Sequence, residues 1–142
     1  MSLYTYETGT PGAPAIVFLH GIGASGWMWQ PQTAALADFH CLAVDLPGHG
    51  QSNQETWESL KDTAGQVAAI IRARATSGRA HVVGLSLGGY VALTLLEHHA
   101  GVARVRRQAG HIPRTEKDTP RIRGLEPGQT AEQRGLAASA GA

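Results

Sequence analysis

Over the first hundred residues, short unbroken apolar runs alternate with longer stretches of helical spacing; beyond them the alternation fails. Ala15-Ile16-Val17-Phe18-Leu19 is the first such run. Bounded by turn residues, it predicts a strand covered on both faces. His40 to Asp45 and Ala80 to Gly84 repeat the pattern. Trp27 to Ala37 has helical character, with Pro31 early, where a first turn tolerates it. Leu60 to Arg74 sets Leu60, Ala64, Val67, Ala68 and Ile71 on one helix face, and Leu87 to His98 predicts a further helix. Leu3 to Tyr6 alternates weakly, as an edge strand does, and Thr8 to Pro14 is a Gly/Pro turn region. Val102 to Ala109 is a candidate last strand, although Arg104, Arg106 and Arg107 suit a sheet edge or a helix end better than a doubly covered position.

Strand and helix in alternation, joined by short connections, predict an α/β fold: a mostly parallel central sheet flanked by helices. Ligands bind such sheets beyond the carboxyl ends of the strands. Three predicted strand ends carry polar or glycine-rich loops, at His20–Gly23, Asp45–Ser52 and Ser86, and these should converge on one mouth.

From His111 onward the periodicity is gone. Pro113, Pro120 and Pro127 punctuate the segment, and only Ile112, Ile122, Leu125 and Leu136 are large and apolar. Such a segment buries too little surface to offset its ordering entropy. The expected organisation is therefore an α/β core over 1–109 and an irregular or disordered tail over 110–142, with an Ala-rich stretch at 131–138 as its one candidate helix.

Composition narrows the function classes. The 142 residues suffice for one domain with a real core. The net charge of +1 hides an asymmetry. Residues 1–100 carry four Lys/Arg against seven Asp/Glu; residues 101–142 carry eight against four. Every Trp, Tyr and Phe lies at or before Tyr90, so the basic tail has no aromatic stacking platform, and no nucleic-acid partner is expected. The longest apolar run is far short of a bilayer span, which argues against membrane insertion. Met1-Ser2-Leu3-Tyr4-Thr5 lacks the basic start and apolar stretch of a secretion signal. Cys41 is alone and permits no intrachain disulfide, so the expected location is cytoplasmic. The adjacent pair His98-His99 does not point to a metal, because neighbouring side chains on a helix diverge.

The strongest chemical signal is Gly84-Leu85-Ser86-Leu87-Gly88, reached directly from the run Ala80-His81-Val82-Val83. A serine hydroxyl is a poor nucleophile until something presents it and accepts its proton. A sharp strand-to-helix turn presents it, at the cost of strained backbone angles. Residues two before and two after crowd that turn, which is why Gly84 and Gly88 matter. Ser86 is the candidate nucleophile.

Three motifs coincide in order: His20-Gly21-Ile22-Gly23, Asp45-Leu46-Pro47-Gly48-His49-Gly50-Gln51-Ser52, and Gly84-Leu85-Ser86-Leu87-Gly88-Gly89. Together, over roughly residues 4–100, they resemble the alpha/beta-hydrolase superfamily. The resemblance implies a serine hydrolase acting on a small-molecule acyl substrate, an ester, thioester or lactone, through an acyl-serine intermediate. It assigns the oxyanion hole to the backbone N–H groups of Ile22 and Leu87, and structural roles to His20, Gly21, Gly23, Asp45, Gly84 and Gly88. In the family pattern His20 orders its loop and His49 belongs to a turn, so neither is read as the base. No cofactor and no metal are implied.

The chain departs from the family further on. Members usually need another hundred residues or more, so the fold is expected to be truncated at its C-terminal end. Gly110-His111-Ile112-Pro113-Arg114-Thr115-Glu116 resembles the catalytic-histidine loop, which makes His111 the candidate base. No acid precedes it in the family's order, leaving Glu116 or Asp118. The alternative is a non-catalytic, truncated or frame-shifted remnant without a complete triad; loss of aromatics and periodicity near residue 103 favours that account. Either way, the uncovered sheet edge beside Val102–Ala109 invites pairing with another chain, and a homo-oligomer is expected.

Overall fold

The computed structural model describes residues 2–104. The expected tail over 110–142, His111 within it, and most of the candidate strand Val102–Ala109 lie outside the described residues. Four strands and three α-helices follow one another as β1 (Thr5–Gly9), β2 (Ala15–Leu19), α1 (Gln30–Ala35), β3 (His40–Val44), α2 (Leu60–Arg74), β4 (Ala80–Gly84) and α3 (Leu87–His99). Short 3-10 turns occupy Gly26–Trp29, Gly50–Ser52 and Ala100–Val102.

The sheet order is β1-β3-β2-β4. β2 pairs in parallel with β3 on one side and β4 on the other, and β1 closes the near edge antiparallel to β3. The register places Leu19, Val44 and Gly84 in one row. The loops that begin at His20, Asp45 and Leu85 therefore leave the sheet side by side. Beyond β4, Ala103 forms a parallel bridge with Ala80, and the Arg104 N–H donates to the Ala80 carbonyl at 2.7 Å. The expected further strand position thus opens at Ala103, after a 3-10 turn.

The pleat sorts side chains to two cores. Ala15, Val17 and Leu19 of β2, with Leu42 and Val44 of β3, face α2 and α3, where Ala64, Val67, Ala68, Ile71, Val91 and Leu95 meet them. Ile16, Phe18, Cys41 and Ala43 face the other way, onto Trp29 and its helix. Trp29 packs against Phe18 with ring centroids 5.3 Å apart, whereas Trp27 is exposed. β2 and β3 are buried along their whole length, as unbroken apolar runs predict. β4 differs: only Ala80 is fully buried, and Val83 and Gly84 are exposed. The expectation of a third doubly covered strand is corrected, because α1 reaches only the β1–β3 side and, among the described residues, no helix covers that face of β4.

Local chemistry sets the helix limits. Ser59 caps α2, its hydroxyl accepting from the Asp62 N–H at 3.0 Å, and Arg72 and Arg74 complement the dipole in the last turn. The expected helix over Trp27–Ala37 splits into a 3-10 turn and the six-residue α1, with Pro31 in the first turn of the latter. The edge strand lies later than Leu3–Tyr6, because Leu3 is drawn into the main core.

Glu7 ties three elements together. Its carboxylate meets His40 Nε2 at 2.6 Å and Arg74 Nη1 at 3.0 Å, linking β1, β3 and α2. The hydrogen bond from His40, helped by Arg74 and opposed by burial, holds the Glu7 carboxyl below its ordinary value. A depressed carboxyl stabilises the fold above the unfolded-state pKa, and the contribution is lost as pH falls through the lowered native value. Glu7→Gln should therefore lower the urea midpoint at neutral pH by under ~1 kcal/mol equivalent, the pair being half-exposed. The gap to the native protein should close as pH drops below the ordinary 4.5. Parallel curves with a constant gap would show that the Glu7 charge is not the source of the difference, and coincident curves that the cluster contributes nothing to stability.

Candidate active site

Ser86 stands between β4 and α3 with φ 50° and ψ −112°. It is the one non-glycine residue of positive φ among the described residues. Such a conformation costs about 1–3 kcal/mol and persists only where its surroundings enforce it. The enforcement is visible. The Ser86 carbonyl accepts from Gly89 N–H at 2.8 Å and from Tyr90 N–H at 3.2 Å, starting the helix immediately after the bend. A Cβ at Gly84 would collide with the Gly88 carbonyl, and a Cβ at Gly88 would collide with that of Leu19. The elbow is further bonded to the end of β2: Leu85 N–H to Leu19 O and Gly88 N–H to His20 O, each 3.0 Å. Ser86 is exposed, with no hydrogen bond to its hydroxyl among the described residues.

The loop after β2 packs against the elbow. A Cβ built on Gly21 would lie 3.5 Å from Ser86 Cβ, so the absence of a side chain there leaves room beside the hydroxyl. Gly21 O accepts from Ala24 N–H at 3.2 Å, closing a turn whose central residues are Ile22 and Gly23. Gly23 sits at φ +75°, where the third position of such a turn requires glycine. Among the described residues, no hydrogen bond occupies the Ile22 or the Leu87 amide. Leu87 opens a thirteen-residue helix, where amides are unpaired and the dipole favours an anion.

The polar residues of the mouth are spent on holding it. His20 is fully buried; its Nδ1–H donates to Gly21 O at 2.8 Å, and its Nε2 accepts from Leu46 N–H at 2.9 Å. Both ring nitrogens are committed to backbone, which fixes the tautomer and leaves none to serve Ser86. Burial pushes the His20 pKa down, partly opposed by the bond to Gly21. Asp45 is fully buried as well, accepting from Gly26 N–H at 2.5 Å and Gln51 N–H at 2.8 Å. It thereby joins the loop after β2 to the loop after β3. His49 Nδ1 lies 2.9 Å from its neighbour Pro47 O, within a turn. His98 and His99 end α3, about 18 Å along the helix from Ser86. Among the described residues, no group of three His, Cys, Asp or Glu could hold a metal, and no helix is long and apolar enough to cross a membrane.

The structure thus brings Ser86, Gly21, Ile22, Leu87, Gly84 and Gly88 together, with His20, Gly23 and Asp45 as their supports. His111 lies outside the described residues. Sequence reasoning missed Gly26, where a Cβ would press on the Tyr6 ring and whose amide anchors Asp45; the only signal was a glycine at the start of a tryptophan pair.

Comparison with known proteins places this geometry. The alpha/beta hydrolase fold family matches residues 14–134. A 2-succinyl-6-hydroxy-2,4-cyclohexadiene-1-carboxylate synthase of Enterobacter sp. is 33% identical over 128 residues, 89% of this chain and 49% of that protein. Among solved structures, an N-acyl homoserine lactone degrading enzyme superposes with TM-score 0.65 at 33% identity, covering 71% of this chain and 39% of that one. The enol-lactonase of Burkholderia xenovorans gives TM-score 0.64 at 31% identity, with 72% and 40% covered. The chain spans a third to a half of the length of the curated relatives it matches. With the strand row, the strained serine and the glycine contacts already in place, the match over most of its length makes this chain a member of the alpha/beta hydrolase family.

Proposed function

We propose that this chain carries the nucleophile and the anion-binding half of a serine hydrolase that cleaves an ester, thioester or lactone. Ser86 Oγ attacks the acyl carbon and gives up its proton to a base. The former carbonyl oxygen gains the negative charge and accepts from the Ile22 and Leu87 N–H groups. Losing one such donor typically adds about 3 kcal/mol to the barrier. The leaving oxygen or sulfur takes the proton back, and water then releases the acyl group by the reverse sequence. The carrying observation is Ser86 itself: exposed and strained, at the start of a helix whose first amide has no partner among the described residues, with Gly21 packed beside it. A structural neighbour that degrades N-acyl homoserine lactone and another that is an enol-lactonase support this class of substrate.

His111 is the proposed base. The family match continues through residue 134 and so across His111, which speaks against a frame change near residue 103. A second reading, a non-catalytic remnant, is favoured by one specific observation: the histidines described at the mouth are bonded to backbone, His20 to Gly21 and Leu46 and His49 to Pro47.

Two measurements separate these readings. A fluorophosphonate probe should label Ser86, and Ser86→Ala should abolish labelling; an unlabelled folded protein throughout about pH 6 to 9 rejects the hydrolase. His111→Ala should lower esterase turnover roughly a hundredfold or more. Unchanged turnover removes His111 from the mechanism while leaving Ser86 in place.

A further inference from the structure

His20 is a fully buried ionisable group at the mouth that the proposed chemistry does not use. The roles of its ring nitrogens follow from their partners. An amide N–H only donates, so Nε2 accepts from Leu46 at 2.9 Å. A carbonyl only accepts, so Nδ1 carries the proton and donates to Gly21 O at 2.8 Å. The neutral imidazole thus bridges the loop after β2 to the loop after β3.

A second proton has one place to go. It adds at Nε2 and turns an acceptor into a donor facing the Leu46 N–H. Two donors then oppose each other, and a cation sits where no solvent reaches. Among the described residues, two ionisable groups face the ring, both from the loop after β3. The His49 imidazole, its centroid 5.1 Å away, opposes the added charge. The Asp45 carboxylate favours it, although its oxygens already accept from Gly26 and Gln51. Gly21–Ser25 and the elbow residues Leu85–Gly89 carry no ionisable side chain. Burial, reinforced by His49 and opposed by the bond to Gly21 and by Asp45, holds the His20 pKa below its ordinary 6.5.

We propose that His20 is an acid-sensitive latch: neutral, it fastens the loop after β2 to the loop after β3, and protonation at Nε2 releases Leu46. The latch does not depend on the acyl-transfer reading, since it acts on the loops themselves. Once released, the imidazole meets water and titrates at the ordinary value. The closed form is therefore fully favoured above 6.5 and loses ground as pH falls toward the lowered native value. Within that window each pH unit should multiply the open population about tenfold.

Amide hydrogen exchange of the full chain, followed by NMR from about pH 7.5 to about pH 5 and corrected for the intrinsic rate, reads this opening. Protection of the Leu46 N–H should fall about tenfold per pH unit below 6.5. Protection of the Leu85 N–H, which donates to Leu19 O without involving His20, should hold. The Glu7 carboxyl titrates below 4.5, outside this range. His20→Gln puts a side-chain oxygen in place of Nε2 and does not titrate, so Leu46 protection should become independent of pH. Where that variant does not fold, His49→Gln serves instead. It removes the charge that opposes protonation, which raises the native value, and the fall at Leu46 should level off at a higher pH. Constant Leu46 protection in the unmutated chain, an equal fall at Leu85, a fall that persists in His20→Gln, or one unmoved by His49→Gln would each overturn the latch.

Discussion

The contact on which the rest depends is one of backbone against backbone. The Gly88 N–H donates to the His20 carbonyl, and no room remains at Gly88 for a side chain, because the Leu19 carbonyl stands where a Cβ would be. One glycine thus holds the first turn of α3 against the end of β2. From that contact the mouth follows. β2 must end at Leu19 for its carbonyl to bond Leu85 N–H; the chain then turns through Gly21–Ala24, with Gly21 packed beside a serine held at φ 50°. The strain at Ser86 is borne by a parallel sheet whose two inner strands are buried end to end.

A second set of bonds keeps the neighbouring loops from drifting. His20 joins the loop after β2 to Leu46, and Asp45 joins the loop after β3 to Gly26. Both side chains are fully buried, so each bond forms where solvent does not compete. A neutral His20 serves this purpose better than a charged one, since its Nε2 must accept. The depressed pKa that burial causes is consistent with that role.

The sequence exposed some of this directly and some of it poorly, for physical reasons. β2, β3, α2 and β4 were legible because each is specified by a pattern within its own residues: unbroken apolar runs for the strands, and one apolar face for the helix. Ser86 with Gly84 and Gly88 was legible because a strained bend restricts which residues can flank it. Edges were harder. β1 was misplaced because Leu3, the residue that matches an inward strand position, is buried ahead of the strand while Glu7 within it points to His40 and Arg74. β4 looked doubly covered because Val82 and Val83 are alike in sequence, yet only Val82 has a helix to face. Long-range partners were illegible altogether: nothing in the local text of Gly26 announces Asp45, nineteen residues away.

These facts together divide presentation from activation. Residues 15–99 contain what is needed to present the Ser86 hydroxyl, and they leave the Ile22 and Leu87 amides without hydrogen-bond partners among the described residues. Two of their ionisable side chains, His20 and Asp45, are committed to holding that arrangement. His20 cannot be both the strut between two backbones and a proton acceptor, and Asp45 cannot release Gly26 and Gln51 without loosening two loops. Among the described residues, the Ser86 hydroxyl, the Ile22 and Leu87 amides and the exposed apolar surfaces of Ile22 and Leu85 remain without partners. A presented hydroxyl and amides without partners among the described residues are what the proposed acyl transfer asks of this half of the fold. The proton acceptor is a separate requirement, to be met by a side chain free of structural duty.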